Sequence, residues 1–193
     1  MDARSRCFWA MNTSPEMQRY HDTEWGAPVH DDARLFEKIS LEGFQAGLSW
    51  ATILAKREAF REVFHGFDIP RVAQMHEGDV IHLLEDKRII RHRGKIEAVI
   101  HNASRVLEVQ REFGSLDRYV WQYRVDTSER PRPVTREWIC EHTTVPESVA
   151  LSKDLRKRGF KFVGPTTMYA FMQSCGLVND HVGDCTVRPR GCK

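Results

Sequence analysis

Apolar residues along this chain recur at intervals of three and four, and no sustained alternation of apolar and polar positions interrupts them, so the pattern predicts helices rather than strands. Over residues 32–46 the stripe is Leu35, Phe36, Ile39 and Phe44; in a long helix running to about Phe113 it is Ile96, Val99, Ile100, Ala103 and Leu107. Capping residues mark the boundaries. Ser14 followed by Pro15 predicts a helix start, and that helix carries Met17, Tyr20 and His21 before Gly26-Ala27-Pro28 ends it. Ser49 opens another over 50–64, stopped by Gly66. Asp68 starts a short helix to about 75, Asp79 caps one to about 86, and Ser115 caps one ending near Tyr123. Residues 126–146, with Pro131, Pro133 and several threonines, have no period and read as a long surface connection. Helix resumes over 147–158, breaks across Gly159 to Gly164, and continues over 165–175. The expected fold class is all-α, with no internal repeat and no low-complexity segment.

A chain of 193 residues, 41% hydrophobic and 29% charged, can bury a core of its own and lies outside the disordered class. One domain over 1–193 is expected, with room for two lobes. No apolar run approaches membrane-spanning length and the N-terminus lacks a signal-peptide core, so a cytoplasmic protein without a membrane partner is expected. Five cysteines, Cys7, Cys140, Cys175, Cys185 and Cys192, are an odd number and widely scattered, which suits reduced thiols or metal ligands better than disulfides. The net charge of +2 says little about a nucleic-acid partner. Its distribution says more: Lys87, Arg88, Arg91, Arg93 and Lys95 form one basic cluster, and Lys153, Arg156, Lys157, Arg158 and Lys161 another, each beside a glycine turn. Two solvated helix ends would look the same.

Three constellations carry chemistry. The bend 41–50 sets Glu42 among apolar neighbours, then Gly47, Ser49 and Trp50, so an acid and an indole stand close together. A dry carboxylate is costly without a partner, and the indole suits either a core or a pocket wall. With Trp9, Tyr20 and Trp25 nearby, the set could line a slot for an extruded base; each ring also suits the core. His181 and Cys185, four apart, would share one face of a helical turn, and Cys7 with His21 supplies the other half of a Cys2His2 set if the chain's ends meet. Four protein ligands leave zinc no open position, which makes such a site structural; a buried thiol and ordinary histidines would satisfy the same spacing. The segment Gly159 to Gly164 has the shape of a helix-hairpin-helix turn whose amides can hold one DNA phosphate, although a plain helical hairpin shares the pattern. Phe160 and Phe162 are expected to anchor it to the core. No P-loop, dinucleotide-binding glycine pattern or serine elbow is present.

The stretches Tyr20-His21-Asp22-Thr23-Glu24-Trp25-Gly26, Leu41-Glu42-Gly43-Phe44-Gln45-Ala46-Gly47-Leu48-Ser49-Trp50, Ile89-Ile90-Arg91-His92-Arg93-Gly94-Lys95-Ile96, Lys157-Arg158-Gly159-Phe160-Lys161-Phe162-Val163-Gly164 and Gly176-Leu177-Val178-Asn179-Asp180-His181 together resemble the type I 3-methyladenine-DNA glycosylases, in order and over nearly the whole chain. The resemblance implies a helix-hairpin-helix glycosylase fold and monofunctional excision of N3-methyladenine from alkylated double-stranded DNA, with free 3-methyladenine as product. It implies one structural zinc per chain on Cys7, His21, His181 and Cys185. Glu42 would accept hydrogen bonds from the base, Trp50 and Tyr20 would stack on or line it, and Trp9 would lie nearby. Leu48, beside Gly47, would fill the gap in the duplex, and Gly159, Lys161 and Gly164 belong to the DNA-facing hairpin. Met17 stands where the family often has a second tyrosine, and Ala170 where some members have serine. Asp180, which precedes His181, is expected to be structural or to support that ligand, and a monomer is expected. The rival readings are a zinc-stapled DNA-binding protein without catalysis and a related glycosylase with another lesion.

Overall fold

The computed structural model describes residues 5–126, 128, 130, 131 and 133–187; Cys192 lies outside the described residues. Among these every regular element is a helix. They are α1 (Pro15–Thr23), α2 (Asp32–Gln45), α3 (Trp50–Ala55), α4 (Arg57–Val63), α5 (Ile69–Ala73), α6 (Glu77–Glu85), α7 (Arg93–Phe113), α8 (Leu116–Val120), α9 (Arg136–Glu141), α10 (Pro146–Lys157) and α11 (Pro165–Ser174), with 3-10 turns at His65–Phe67 and Trp121–Tyr123.

The caps read from sequence operate. The Ser14 side chain accepts the Met17 amide with Pro15 in the first turn, Ser49 Oγ accepts from Thr52, Asp68 from Arg71 and Ser115 from Arg118. Three details differ. The segment 50–64 is two helices, because Lys56 leaves the helical region (φ −104°, ψ 0°) and its Nζ donates to the carbonyls of Lys87 and Arg88 at 3.1 and 2.9 Å. Helix α6 is capped by His76, and Asp79 accepts the His76 amide at 2.8 Å as the reciprocal arm of a capping box. Within the aperiodic stretch 126–146 the chain forms α9, with Thr135 accepting from the Trp138 amide.

Helix α2 occupies the centre. It packs on α3, α7, α8 and α11, and all its residues from Leu35 to Phe44 are buried, far more than one amphipathic stripe requires. Phe44, Phe60 and Phe64 stack on one side of it, with Phe36 and Phe67 meeting edge to face beyond. Such burial is inexpensive for apolar side chains and costly for Glu37, Lys38 and Glu42 on the same helix, so each polar residue there calls for a partner. Glu37 has one in Arg61, 2.8 Å away. The long helix α7 runs beside α2 and also packs on α5, α6 and α8, while α10 lies against α11.

Candidate active site and metal centre

Helix α2 ends in a bend. Gly47 takes a left-handed conformation (φ +82°) that a side chain would strain, Leu48 donates its amide to Gln45 at 2.6 Å, and Ser49 then caps α3. The carbonyls left without helical partners at the end of α2 are met by a buried lysine: Lys95 Nζ, from the first turn of α7, donates to Phe44 O at 2.9 Å and Ala46 O at 2.6 Å. Burial lowers the Lys95 pKa. The bend is thereby held by a charge-assisted contact from a neighbouring helix.

The bend opens into a cavity of about 440 Å³ between α1, α2, α3, α9 and α11. Glu42, Trp50, Tyr20 and Trp9 all line it, so the four residues singled out as base-facing stand together. Tyr20 and Trp50 are tilted at 43° with centroids 5.1 Å apart; Trp9 meets Trp25 edge to face at 5.0 Å. Two polar atoms on this lining are orphaned: Glu42 Oε2 and Trp50 Nε1 are buried and have no hydrogen-bond partner among the described residues. Glu42 is 5% exposed, and burial pushes its carboxyl up to about 8, against the pull of the Lys38 ammonium one turn earlier. Tyr20 is held well above the usual phenol range, first by burial and then by Glu42. An acceptor and a donor lacking partners, facing a slot walled by rings, suit a planar electron-poor heterocycle that carries its own polar edge.

Met17 fills its expected place on the wall with a flexible apolar side chain instead of a phenol. Sequence reasoning missed Gln45, Ile139 and Gln173, which also line the cavity. Gln45, three residues after Glu42, shares its helical face and could have been found by spacing. Ile139 lies in the stretch with no period, and Gln173 had no local signal.

Gly47 and Leu48 border a second, smaller recess of about 230 Å³ that also reaches Glu42 and meets Thr166, Thr167 and Ala170 on α11. The Leu48 side chain is 42% exposed. At the other end of α11, Asp180 is fully buried and its carboxylate is occupied: it accepts from Tyr169 Oη at 2.5 Å and Gln173 Nε2 at 2.9 Å and pairs with Arg130. It does not line the cavity.

Between α10 and α11 the chain turns at Gly159 (φ +89°), and Asn102 of α7 clamps the turn from both sides, donating to Lys161 O at 3.0 Å and accepting Lys161 N–H at 2.9 Å. Gly164 precedes α11 as its N-cap, and Lys161 is exposed. Phe160 is buried as expected, but Phe162 is 40% exposed and is no core anchor. The turn's two clamps, Asn102 and the Ser152 hydroxyl on Val163 O, secure backbone atoms and leave that ring outside.

The ends of the chain do meet. The donor atoms of Cys7, His21, His181 and Cys185 all lie within 4.8 Å of one another and all four residues are buried, a set that could hold a metal ion. Cys7 Sγ and Cys185 Sγ each lie 3.5 Å from His181 Nδ1, and Cys185 Sγ lies 3.6 Å from His21 Nε2. Both rings are aimed by their far nitrogens. His21 Nδ1 faces Asp22 at 2.9 Å, itself gripped by Arg6, and His181 Nε2 faces the Trp25 carbonyl at 3.2 Å. Burial pushes the Cys7 thiol up to about 12, with Cys185 adding to the rise. A thiolate at Cys7 is therefore disfavoured unless a cation stands beside it.

A family model described as methyladenine glycosylase matches residues 9–188. The DNA-3-methyladenine glycosylase 1 of Escherichia coli (strain K12) is 49% identical over 185 residues, 95% of this chain and 97% of that protein. A crystal structure of 3-methyladenine DNA glycosylase I superposes with a TM-score of 0.88 at 48% identity, covering 96% of this chain and all (100%) of that one. A second, of a variant in complex with 3-methyladenine, superposes with a TM-score of 0.82 at 35% identity over 94% of this chain and 97% of that one.

Proposed function

From the membership of this chain in the methyladenine glycosylase family, we infer that it is a DNA base-excision repair enzyme that hydrolyses the N-glycosyl bond of N3-methyladenine in alkylated double-stranded DNA. The observation that carries the site assignment is the unpartnered Glu42 oxygen inside a cavity walled by indoles and a phenol. Methylation at N3 makes the nucleotide's base cationic, so it departs as a neutral molecule and needs little help from a general acid. What remains for the protein is to hold the base, exclude water and favour positive charge. Glu42 accepts hydrogen bonds from the base edge, and the faces of Trp50 and Tyr20 stack on an electron-poor ring, with Trp9 closing the slot. Among the described residues no lysine lines the cavity, which suits a reaction that stops at base release.

Leu48, carried outward by the bend at Gly47, fills the space left in the duplex when the base swings out. Gly159, Lys161 and Gly164 belong to a helix-hairpin-helix turn whose amides and ammonium hold a backbone phosphate without reading sequence. The Cys7, His21, His181 and Cys185 cluster holds one structural zinc: across a tetrahedral ion, a sulfur at about 2.3 Å and a nitrogen at about 2.0 Å stand roughly 3.5 Å apart, the separations seen between these thiols and imidazoles. With four protein donors the ion has no position for water and acts by joining the two ends of the chain. We read the chain as one such domain, which the family match over residues 9–188 supports, and as acting as a monomer. No helix among the described residues is long and apolar enough to cross a membrane, and an enzyme of genomic DNA that keeps zinc-ligating thiols reduced suits the cytoplasm.

Chromatographic identification of the bases released from methylated duplex DNA tests the reading. 3-Methyladenine should appear with the wild-type protein and be nearly lost with Glu42→Ala, which should keep most of its affinity for duplex DNA. A wild-type protein that releases no base, or a variant that releases as much, would overturn the reaction or the role of Glu42 respectively.

A further inference from the structure

Phe162 breaks two local rules at once. It is a bulky residue in the left-handed region (φ +57°), which favours glycine, and its ring is 40% exposed. Nothing about the turn itself needs an aromatic ring there. The backbone is fixed from outside, by Asn102 on both polar atoms of Lys161 and by Ser152 Oγ on the Val163 carbonyl at 2.6 Å, so the surrounding fold imposes the conformation that Phe162 must accept. The tip lies close on α2: a Cβ built on Gly43 would stand 3.4 Å from Phe162 Cβ. On its other side the ring meets His92 edge to face at 6.3 Å, and the Lys95 ammonium lies 6.0 Å from its centroid.

Those contacts connect the ring to the bend. The same Lys95 ammonium donates to the carbonyl of Ala46, two residues before the exposed Leu48. The exposed residues nearest Phe162 are polar or basic: Lys161 precedes it in the chain, His92 meets its ring, and the Arg156 guanidinium lies beside Gly164 at the end of the turn. Phe162 and Leu48 are two of the five large apolar residues exposed among the described residues, and Lys95 connects them, near the ring of one and bonded to the backbone two residues before the other. That charge fits a sugar–phosphate backbone, and an apolar ring among cations fits the deoxyribose between two phosphates.

We propose that Phe162 is a DNA-contact residue, its ring packing on a deoxyribose of the strand whose phosphate the hairpin holds. The contact rests on the glycosylase reading and adds to it a role for the strained position: the ring is retained for the duplex, at a cost to the free protein.

The experiment compares wild-type protein with Phe162→Gly and Phe162→Asn, two residues that accept a left-handed backbone. It measures affinity for an undamaged duplex by fluorescence anisotropy over a range of salt, together with thermal unfolding. Both variants should melt at or above the wild-type temperature and bind duplex roughly 5- to 10-fold more weakly, the loss expected from uncovering part of one aromatic side chain. The slope of log affinity against log salt should stay unchanged, because no cation is removed. Wild-type affinity in both variants, or a loss of affinity that only tracks a fall in melting temperature, would overturn the contact alone. A wild-type protein with no affinity for duplex DNA would overturn the DNA reading and this contact with it.

Discussion

Glu42 is an acid whose ionisation the fold opposes, and the sign of that opposition gives two measurable consequences. Its pKa is raised from 4.5 to about 8 by burial, so the folded state binds a proton that the unfolded state releases between those values. Its contribution to stability is therefore least unfavourable below pH 4.5 and worsens as pH rises to about 8, and Glu42→Gln should flatten this decline in chemical-denaturation midpoints across the same window. Affinity for a cationic lesion runs the other way, because only the carboxylate attracts it. For the wild type, kcat/KM for 3-methyladenine release should climb through pH 6 to 8, and Glu42→Gln should show a low, level profile; a wild-type profile equally level over that range would detach Glu42 from charge recognition. Lys38 is the cation that restrains the rise, so Lys38→Met should move the climb to higher pH and Lys38→Arg should not. Glu42 was legible in the sequence because a carboxylate interrupts an apolar stripe. Phe162, expected with Phe160 to anchor the hairpin in the core, is exposed instead, and its left-handed backbone is a feature that residue type and spacing do not reveal.

Helix positions followed from caps and periodicity almost throughout, because those signals are local: a serine or aspartate oxygen finds an amide three residues on whatever the rest of the chain does. What was illegible came from contacts between elements. The break at Lys56 coincides with two carbonyls more than thirty residues away, and α9 forms in a stretch with no period of its own. The bend after α2 combines both kinds of cause: Gly47 was readable as a turn, while the clamp from Lys95, roughly fifty residues on, was not. Lys95→Met should leave the Phe44 and Ala46 carbonyls without their donor, cost about 1–3 kcal/mol in denaturant unfolding, and slow release from duplex DNA by loosening Leu48. Leu48→Ala separates the two effects. An exposed side chain contributes within about 0.5 kcal/mol of nothing to stability, so this variant should unfold like wild type yet lose release from duplex far more than from single strands, where no gap needs filling. Equal loss on both substrates would argue that Leu48 does not enter the duplex.

The Cys2His2 cluster joins what the sequence holds farthest apart, since Cys7 and His181 are 174 positions distant and yet Cys7 Sγ and His181 Nδ1 stand 3.5 Å from each other. Spacing alone offered two half-sites; only the folding of α1 against the segment after α11 makes them one. That closure also has a bearing on the pocket, because Trp9 and Tyr20 lie within two residues of Cys7 and His21 in sequence while lining the cavity beside Glu42. A metal tie across so long a loop would constrain the unfolded chain strongly, and by analogy with covalent cross-links should be worth several kcal/mol. One zinc per chain should accompany gently purified protein. Removing it with a strong chelator, or replacing Cys185 with alanine, should lower the melting temperature by several degrees while the fraction that stays folded keeps much of its base release, since none of the four cluster residues lines the cavity. Pairing metal analysis with active-site titration of the folded fraction distinguishes this from catalysis at the metal: if each folded molecule without zinc were inactive but equally stable, the ion would belong to the chemistry and the staple assignment would fall.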